Sequence, residues 1–249
     1  MGLWQAMLSP RARRVIVTVA AVVMAALTFR LGLWQLDRAQ QKIDLQQRID
    51  QRGQMAPLRT AELATSAAEA DGQFHRPVQL TGRWLPQATV YLDNRQMNGR
   101  PGFFVVTPLQ LADGSAVVVQ RGWQPRDQLD RARVAEVPTP AGEVTLSGRV
   151  APPPARLYEF QAPGTERIRQ NLDLDAYARE TGLRLRPLSV WQTGAASEGL
   201  ERDWPKPAID VARHQGYAFQ WFALSALVAG LYVWFQLIRP WRQGGRRGG

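Results

Sequence analysis

Two apolar runs, Val15–Leu36 and Tyr217–Ile238, bracket roughly 180 polar residues. Each run covers 22 residues, about 33 Å of helix at 1.5 Å per residue against a hydrocarbon core of about 30 Å. The layout predicts a membrane hairpin with both ends on one side and a sizeable body on the other. The second run holds no charged residue. The first is interrupted by Arg30, which lies about 9 Å short of the Leu36 end by the same rise, close enough to extend its head toward the interface. A cleaved signal peptide is the alternative for this run, because Arg11, Arg13 and Arg14 precede it. No small-x-small site follows Phe29, however, and the chain continues with large side chains, RLGLWQLDR. An uncleaved anchor is the better reading.

Orientation follows from charge. Seven arginines and no acid occupy the two ends, and seven basic residues also flank the spans on the inner sides. The inner positives are interspersed with Asp37, Asp44, Asp50, Glu201, Asp203 and Asp210, and long loops are exempt from the positive-inside rule. Both termini are therefore placed in the cytoplasm. The expected organisation is a tail at 1–14, a span at 15–36, an outer body at 37–216, a span at 217–238 and a basic tail at 239–249. The formal charge of +10 raises nucleic acid as a partner, but Asp37–Arg213 holds 23 basic and 21 acidic residues, a net of only +2. Basic tails beside spans suit an anionic lipid leaflet, and nucleic-acid binding is not supported. With no cysteine, disulfides, thiolate nucleophiles and iron–sulfur clusters are excluded.

Within the body, Asp37–Arg52 lacks Gly and Pro and reads as a polar continuation of the first helix, and Thr60–Asp71 as a short helix or linker. Beyond Gly72 the pattern shifts to period two. Strands are predicted at Val78–Trp84, Thr89–Asn94, Gly102–Leu111, Ser115–Arg121, Glu143–Val150 and Pro187–Thr193, with a hairpin turn at Asp113-Gly114. A helix fits Leu174–Thr181, capped by Asp173 and stopped by Gly182. The fold class is thus two transmembrane helices bracketing a mainly antiparallel β body, a small barrel or sandwich of the α+β kind. Val78-Gln-Leu-Thr-Gly82-Arg83 and Val144-Thr-Leu-Ser-Gly148-Arg149 repeat one pattern, consistent with two equivalent strands each carrying Gly at a bend or bulge.

Little in the chain suggests catalysis. There are two histidines, and no H-E-x-x-H, G-x-S-x-G, P-loop or G-x-G-x-x-G motif. His75 reads as an ordinary loop histidine. His214 differs, because it precedes the second span by three residues. At 100° per residue, Tyr217, Ala218, Trp221 and Ser225 fall within about 60° of it. Small Ala218 and Ser225 would leave room between the aromatics for a flat apolar ligand, with the imidazole as an axial donor to haem iron. The competing reading is an interfacial His in an aromatic belt. Arg30 and Gln220 belong to the same depth, where Arg30 could answer a propionate.

Several blocks together resemble the surfeit locus protein one family. They are Gly32-Leu-Trp34-Gln35-Leu-Asp-Arg38, with Lys42 after it; Pro101-Gly102 and Thr107-Pro108-Leu109; Asp113-Gly114; Arg121-Gly122-Trp123 with Pro125; and His214 with Tyr217-Ala218-Phe219-Gln220-Trp221-Phe222. Family members usually have Asn where this chain has Gln120 and Arg213, and an aromatic where it has Gln41. The resemblance implies a non-enzymatic cytochrome c oxidase assembly factor of the bacterial inner membrane, with a periplasmic domain. It also implies that haem a is bound transiently and delivered to the oxidase catalytic subunit, with His214 as the iron ligand; the helix face and depth read above would then place Tyr217, Trp221 and Arg30 around the cofactor. The haem a synthesis enzyme is a further candidate partner, and a homo-oligomer is compatible with the reading. Its alternative is a scaffold that grips oxidase subunits without touching haem. For Arg121, Gly122 and Trp123 the residues themselves suggest structural roles: an ion pair, a tight approach and packing under the sheet or on the membrane surface.

Overall fold

The computed structural model describes residues 9–127, 129–130, 133–158, 166–205 and 210–244. Two compact units emerge, one formed by the two ends of the chain through Gln47 and from Ala208, the other by Arg48–Pro207.

In the first unit, helix α1 spans Pro10–Gly53, 44 residues without a break. Ser9 caps it by accepting from the Ala12 N–H at 3.2 Å, and Pro10 opens it where a missing N–H costs nothing. The polar stretch after Leu36 is helical as expected, with Gln40 donating to Asp44 and Gln41 to Asp37 one turn apart. Helix α4 (Val211–Val233) starts at Asp210, whose carboxylate accepts from the Arg213 N–H. The second apolar run is not one uniform helix. Trp234–Ile238 widens into a π turn before helix α5 (Arg239–Gly244), an irregularity that apolar composition does not encode.

Both apolar stretches are long enough to cross a membrane. They meet along a narrow antiparallel seam: Thr18 with Tyr232, Ser225 donating to the Ala25 carbonyl at 2.9 Å, and Phe29 against Phe222 with centroids 5.2 Å apart. Gly32 makes this approach possible, since a Cβ there would sit 2.5 Å from the Phe222 ring. Small residues at the contact are the usual device where lipid removes the hydrophobic drive between helices. Most other apolar side chains, Val15, Val22, Leu27, Phe219 and Leu227 among them, remain exposed.

The second unit is an eight-stranded mixed sheet. Its strands are β1 (Leu58–Arg59), β2 (Pro77–Trp84), β3 (Val90–Met97), β4 (Arg100–Gln110), β5 (Ala116–Pro125), β6 (Glu143–Ala151), β7 (Ile168–Arg169) and β8 (Leu185–Gln192). All six predicted strands are present. The two-residue β1 and β7 are additions too short to leave a periodic signature. Antiparallel pairing dominates, but β1–β2, β3–β7 and β5–β8 are parallel. The pairings run β2–β6–β8–β5–β4 and return to β2 through Arg83 with Gln110 and Trp84 with Leu109. Helix α2 (Ala67–Gln73) occupies the weakly helical stretch. Helix α3 (Leu174–Thr181) has the predicted bounds, with Asp173 accepting from the Ala176 N–H and Gly182 left-handed at φ 69.

The repeated hexapeptides turn out to be β2 and β6, paired with each other about Leu80 and Leu146, so that Val78 faces Gly148 and Gly82 faces Val144. Their glycines do equivalent work. A Cβ on Gly82 would meet the Gln110 carbonyl of β4 at 2.3 Å, and one on Gly148 would meet Val190 of β8 at 2.4 Å. Each glycine therefore admits the next strand. The main core lies here, around Leu80, Leu146, Leu109, Val117, Leu188 and Val190.

The β4–β5 hairpin turns at Ala112-Asp113-Gly114, with Gly114 at φ 76. Asp113 accepts from the Ser115 hydroxyl (2.6 Å) and N–H (2.9 Å) and pairs with Arg186 at 2.7 Å. The Ser115 hydroxyl, then its N–H, then Arg186 and Arg184 hold this carboxyl below its ordinary range. A depressed folded pKa means that the unfolded chain takes up the proton first. The stabilisation is therefore complete above about pH 4, the unfolded value, and is lost as pH falls through the lower folded one. Asp113→Asn is expected to cost about 1 kcal/mol at neutral pH. Urea melts of wild type and variant should converge toward pH 2, and a pH-independent gap would contradict the assignment.

Candidate functional site

The His214 site is assembled by the seam of the first unit. His214 lies one turn into α4 and Gln35 lies on the α1 face that also carries Gly32. The imidazole Nδ1 and the Gln35 Oε1 are 2.8 Å apart. With the Gln35 carbonyl oxygen turned to the ring, the neutral tautomer that matches it carries its proton on Nδ1 and leaves the lone pair on Nε2 free. A histidine that donates one nitrogen to a carbonyl and offers the other is the usual arrangement of a metal-ligating imidazole. Within the first block, Gly32 and Gln35 therefore serve the helix contact. Trp34 is exposed and has the Arg38 guanidinium 5.7 Å from its ring centroid, while Arg38 also donates to Gln41.

The remaining sequence candidates are not all gathered there. Trp221 is half-buried on the His214 side of α4. Tyr217 is exposed and stacked under Arg213, 6.0 Å away. Gln220 and Arg30 are exposed, and at 100° per residue Arg30 points about 140° away from Gln35. The expected slot between aromatics is corrected on one point. Ala218 is 1% exposed and Ser225 is bonded to Ala25, so both belong to the closed seam and leave no gap. Any flat ligand would have to lie beside the helix pair, against Nε2.

The Arg121-Gly122-Trp123 block lies in the second unit and is structural in every contact. A bulge on β5 pairs Val105 with Gly122 and Val106 with Gln120, leaving Arg121 as the extra residue turned inward. Its fully buried guanidinium donates to Glu198 and Thr139 at 2.7 Å and to the Pro138 carbonyl at 2.8 Å, and lies 4.8 Å from the Trp84 ring centroid. Gly122 lets Leu200 and Glu201 approach, since a Cβ would meet both at 2.8 Å. Trp123 is buried and donates its indole N–H to the Arg95 carbonyl at 2.9 Å. It packs inside the unit, which decides between the two places the sequence allows. Gln120 is buried and donates to Ser189. The acid that pairs with Arg121 lies 77 residues away in a turn where Glu198 itself has φ 60, and nothing in its sequence surroundings announces that role.

The model of the SURF1 family matches residues 22–226, a stretch containing both the Gln35–His214 contact and the buried Arg121 cluster. A SURF1-like protein of Rickettsia felis is 21% identical over 86% of this chain and 94% of its own length. One from Dictyostelium discoideum is 30% identical over 41% of this chain and 40% of its own. The cytochrome oxidase assembly protein SHY1 of Saccharomyces cerevisiae is 31% identical over 40% of this chain and 26% of its own. The chain thus spans less than half the length of two of these relatives and nearly all of the third. With the family match covering more than half of its residues, the chain belongs to the SURF1 family.

Proposed function

We propose that this chain is a non-enzymatic cytochrome c oxidase assembly factor that receives haem a at His214 and delivers it to the oxidase catalytic subunit. The observation that carries the proposal is the Nδ1–Oε1 contact of 2.8 Å, which engages one ring nitrogen on α1 and leaves Nε2 as the nitrogen available to a metal. The named role of the yeast relative supports the oxidase assignment. In this reading the two apolar helices sit in the bacterial inner membrane with both termini cytoplasmic, and residues 37–216 form the periplasmic body. Trp221 and Tyr217 would lie near the macrocycle. Arg30, facing away, would meet lipid headgroups or a neighbouring protein and not the same haem.

The test is a pyridine haemochrome assay on protein purified from cells that make haem a. Wild type should carry about one haem, and His214→Ala should carry little or none. Gln35→Leu keeps the ligand but releases its tautomer, and should weaken affinity by about 10- to 100-fold, the usual effect of losing such a supporting partner. Undiminished haem on His214→Ala would remove the ligand role. The closed seam at Gly32 and Ala218 favours a second reading, a scaffold that binds oxidase subunits without haem. That reading predicts co-purification with the catalytic subunit from cells unable to make haem a, with no pigment on the isolated protein.

A further inference from the structure

A cavity of about 590 Å³ opens in the second unit, and none of its lining residues belongs to the His214 site. Its size falls in the range of small-molecule sites. Apolar side chains form its walls: Phe104, Trp191 and the run Pro152–Pro154. Trp191 is stacked on Trp204 at 5.5 Å and 10°, while Trp204 meets the Phe104 edge at 5.2 Å and donates its N–H to the Gln192 carbonyl. The aromatic wall is thereby fixed before any ligand arrives.

Into this cavity β3 delivers a cation. A register shift between Leu92 and Arg95, with Asn94 left-handed at φ 58, turns Arg95 inward until it is 7% exposed. Its Nη2 donates to the Ala155 and Gln170 carbonyls at 2.8 and 3.0 Å, but its buried Nε has no partner. Among the described residues no carboxylate pairs with it. Burial alone pulls the guanidinium below its ordinary range. A buried charge without a counter-charge is expensive to keep. His75, also lining the cavity, is held left-handed at φ 72. Two non-glycine residues in that conformation at one cavity mark stored strain, which collects at ligand sites.

We propose that this cavity binds a small apolar carboxylate, with the acid on Arg95 and the apolar body against Trp191, Phe104 and the proline run. Neutral His75 donates a further hydrogen bond to the acid. Burial, then the charges of Arg52 and Arg149, disfavours the imidazolium at this ring.

The test uses the full chain in lipid nanodiscs, with empty discs as background and 2-naphthoate as the probe in calorimetric titrations. Wild type should bind one molecule saturably, and Arg95→Gln should bind at least about tenfold more weakly. The neutral alcohol 2-naphthylmethanol should show no such difference. Gln96→Trp, at an exposed position on the cavity rim, blocks the space without removing a buried bond and should abolish binding even if Arg95→Gln fails to fold. Competition with decanoate separates the sources: displacement admits chain acids, and its absence restricts the site to ring acids. His214→Ala should bind the probe normally, which keeps this result independent of the haem assay. No saturable binding, equal binding by Gln96→Trp, or equal affinity for acid and alcohol would overturn the proposal.

Discussion

Arg121→Ala is expected to lower the melting midpoint of the second unit by about 10 °C, corresponding to a loss of about 4 kcal/mol. The guanidinium is the hub of a buried cluster, bonded to Glu198, Thr139 and the Pro138 carbonyl and stacked on Trp84. Alanine removes these bonds together, leaves a cavity the size of the side chain, and deprives Glu198 of its better partner, since Arg202 is 3.5 Å away. Breaking a buried pair from one side costs more than the pair is worth intact, because the desolvated acid remains. Arg121→Lys keeps the charge but cannot reach three acceptors at once, so it should recover only part of the loss. Scanning fluorimetry in detergent is the measurement, and a shift below about 2 °C would show that the cluster is not the keystone its burial suggests.

Gly82→Ala carries the second large effect, about 3 kcal/mol, at the upper end of the usual cost of overpacking. The added methyl would lie 2.3 Å from a backbone carbonyl of β4 and 3.1 Å from Leu109, and a strand backbone cannot swing aside as a side chain can. The yielding element should be the two-residue β2–β4 contact that returns the sheet to its start. Hydrogen exchange is therefore expected to quicken at Arg83–Trp84 and Leu109–Gln110 before anywhere else. Gly148→Ala, the equivalent change in β6, meets the Val190 methyl at 2.4 Å and a backbone carbonyl, that of Trp191, only at 2.8 Å against 2.3 Å at Gly82, and should cost less. Equal effects at the two glycines, or exchange that quickens uniformly, would show that the β2–β4 contact is not the weak point.

Much of this architecture was legible in the chain because it is encoded by local periodicity. β2, β3 and β6 alternate in sequence, β4 and β5 are apolar runs joined by an Asp-Gly turn, and α3 carries its cap and stop at Asp173 and Gly182. The repeated hexapeptide announced two equivalent strands, but their glycines lie in an unbroken register and not at a bulge, and their work is to admit the neighbouring strands. What escaped notice depends on distant partners. The pairing of Gln35 with His214 joins residues 179 apart, and the bulge that buries Arg121 exists only in the register of β4 against β5. The aromatic slot failed for the same reason. A helical wheel places Ala218 and Ser225 beside His214, but it cannot say that α1 already fills that space. Arg95 looks on paper like one more surface arginine, and only the irregularity at Asp93–Asn94 turns it inside.

The returning order of the strands has one more consequence. Strand recruitment, by which an extended segment of another protein adds itself to an exposed margin, requires a row of unsatisfied amides and carbonyls. Here the two termini of the sheet are held by β1 and β7, each two residues long, the strands from β2 through β6, β8 and β5 to β4 close on one another, and among the described residues β7 covers the outer side of β3 only at Tyr91 and Leu92. Over the closed part of the sheet, any partner would therefore have to be recognised through side chains and turns. Substitutions that spoil such recognition should fall outside the strands, where they leave the fold intact.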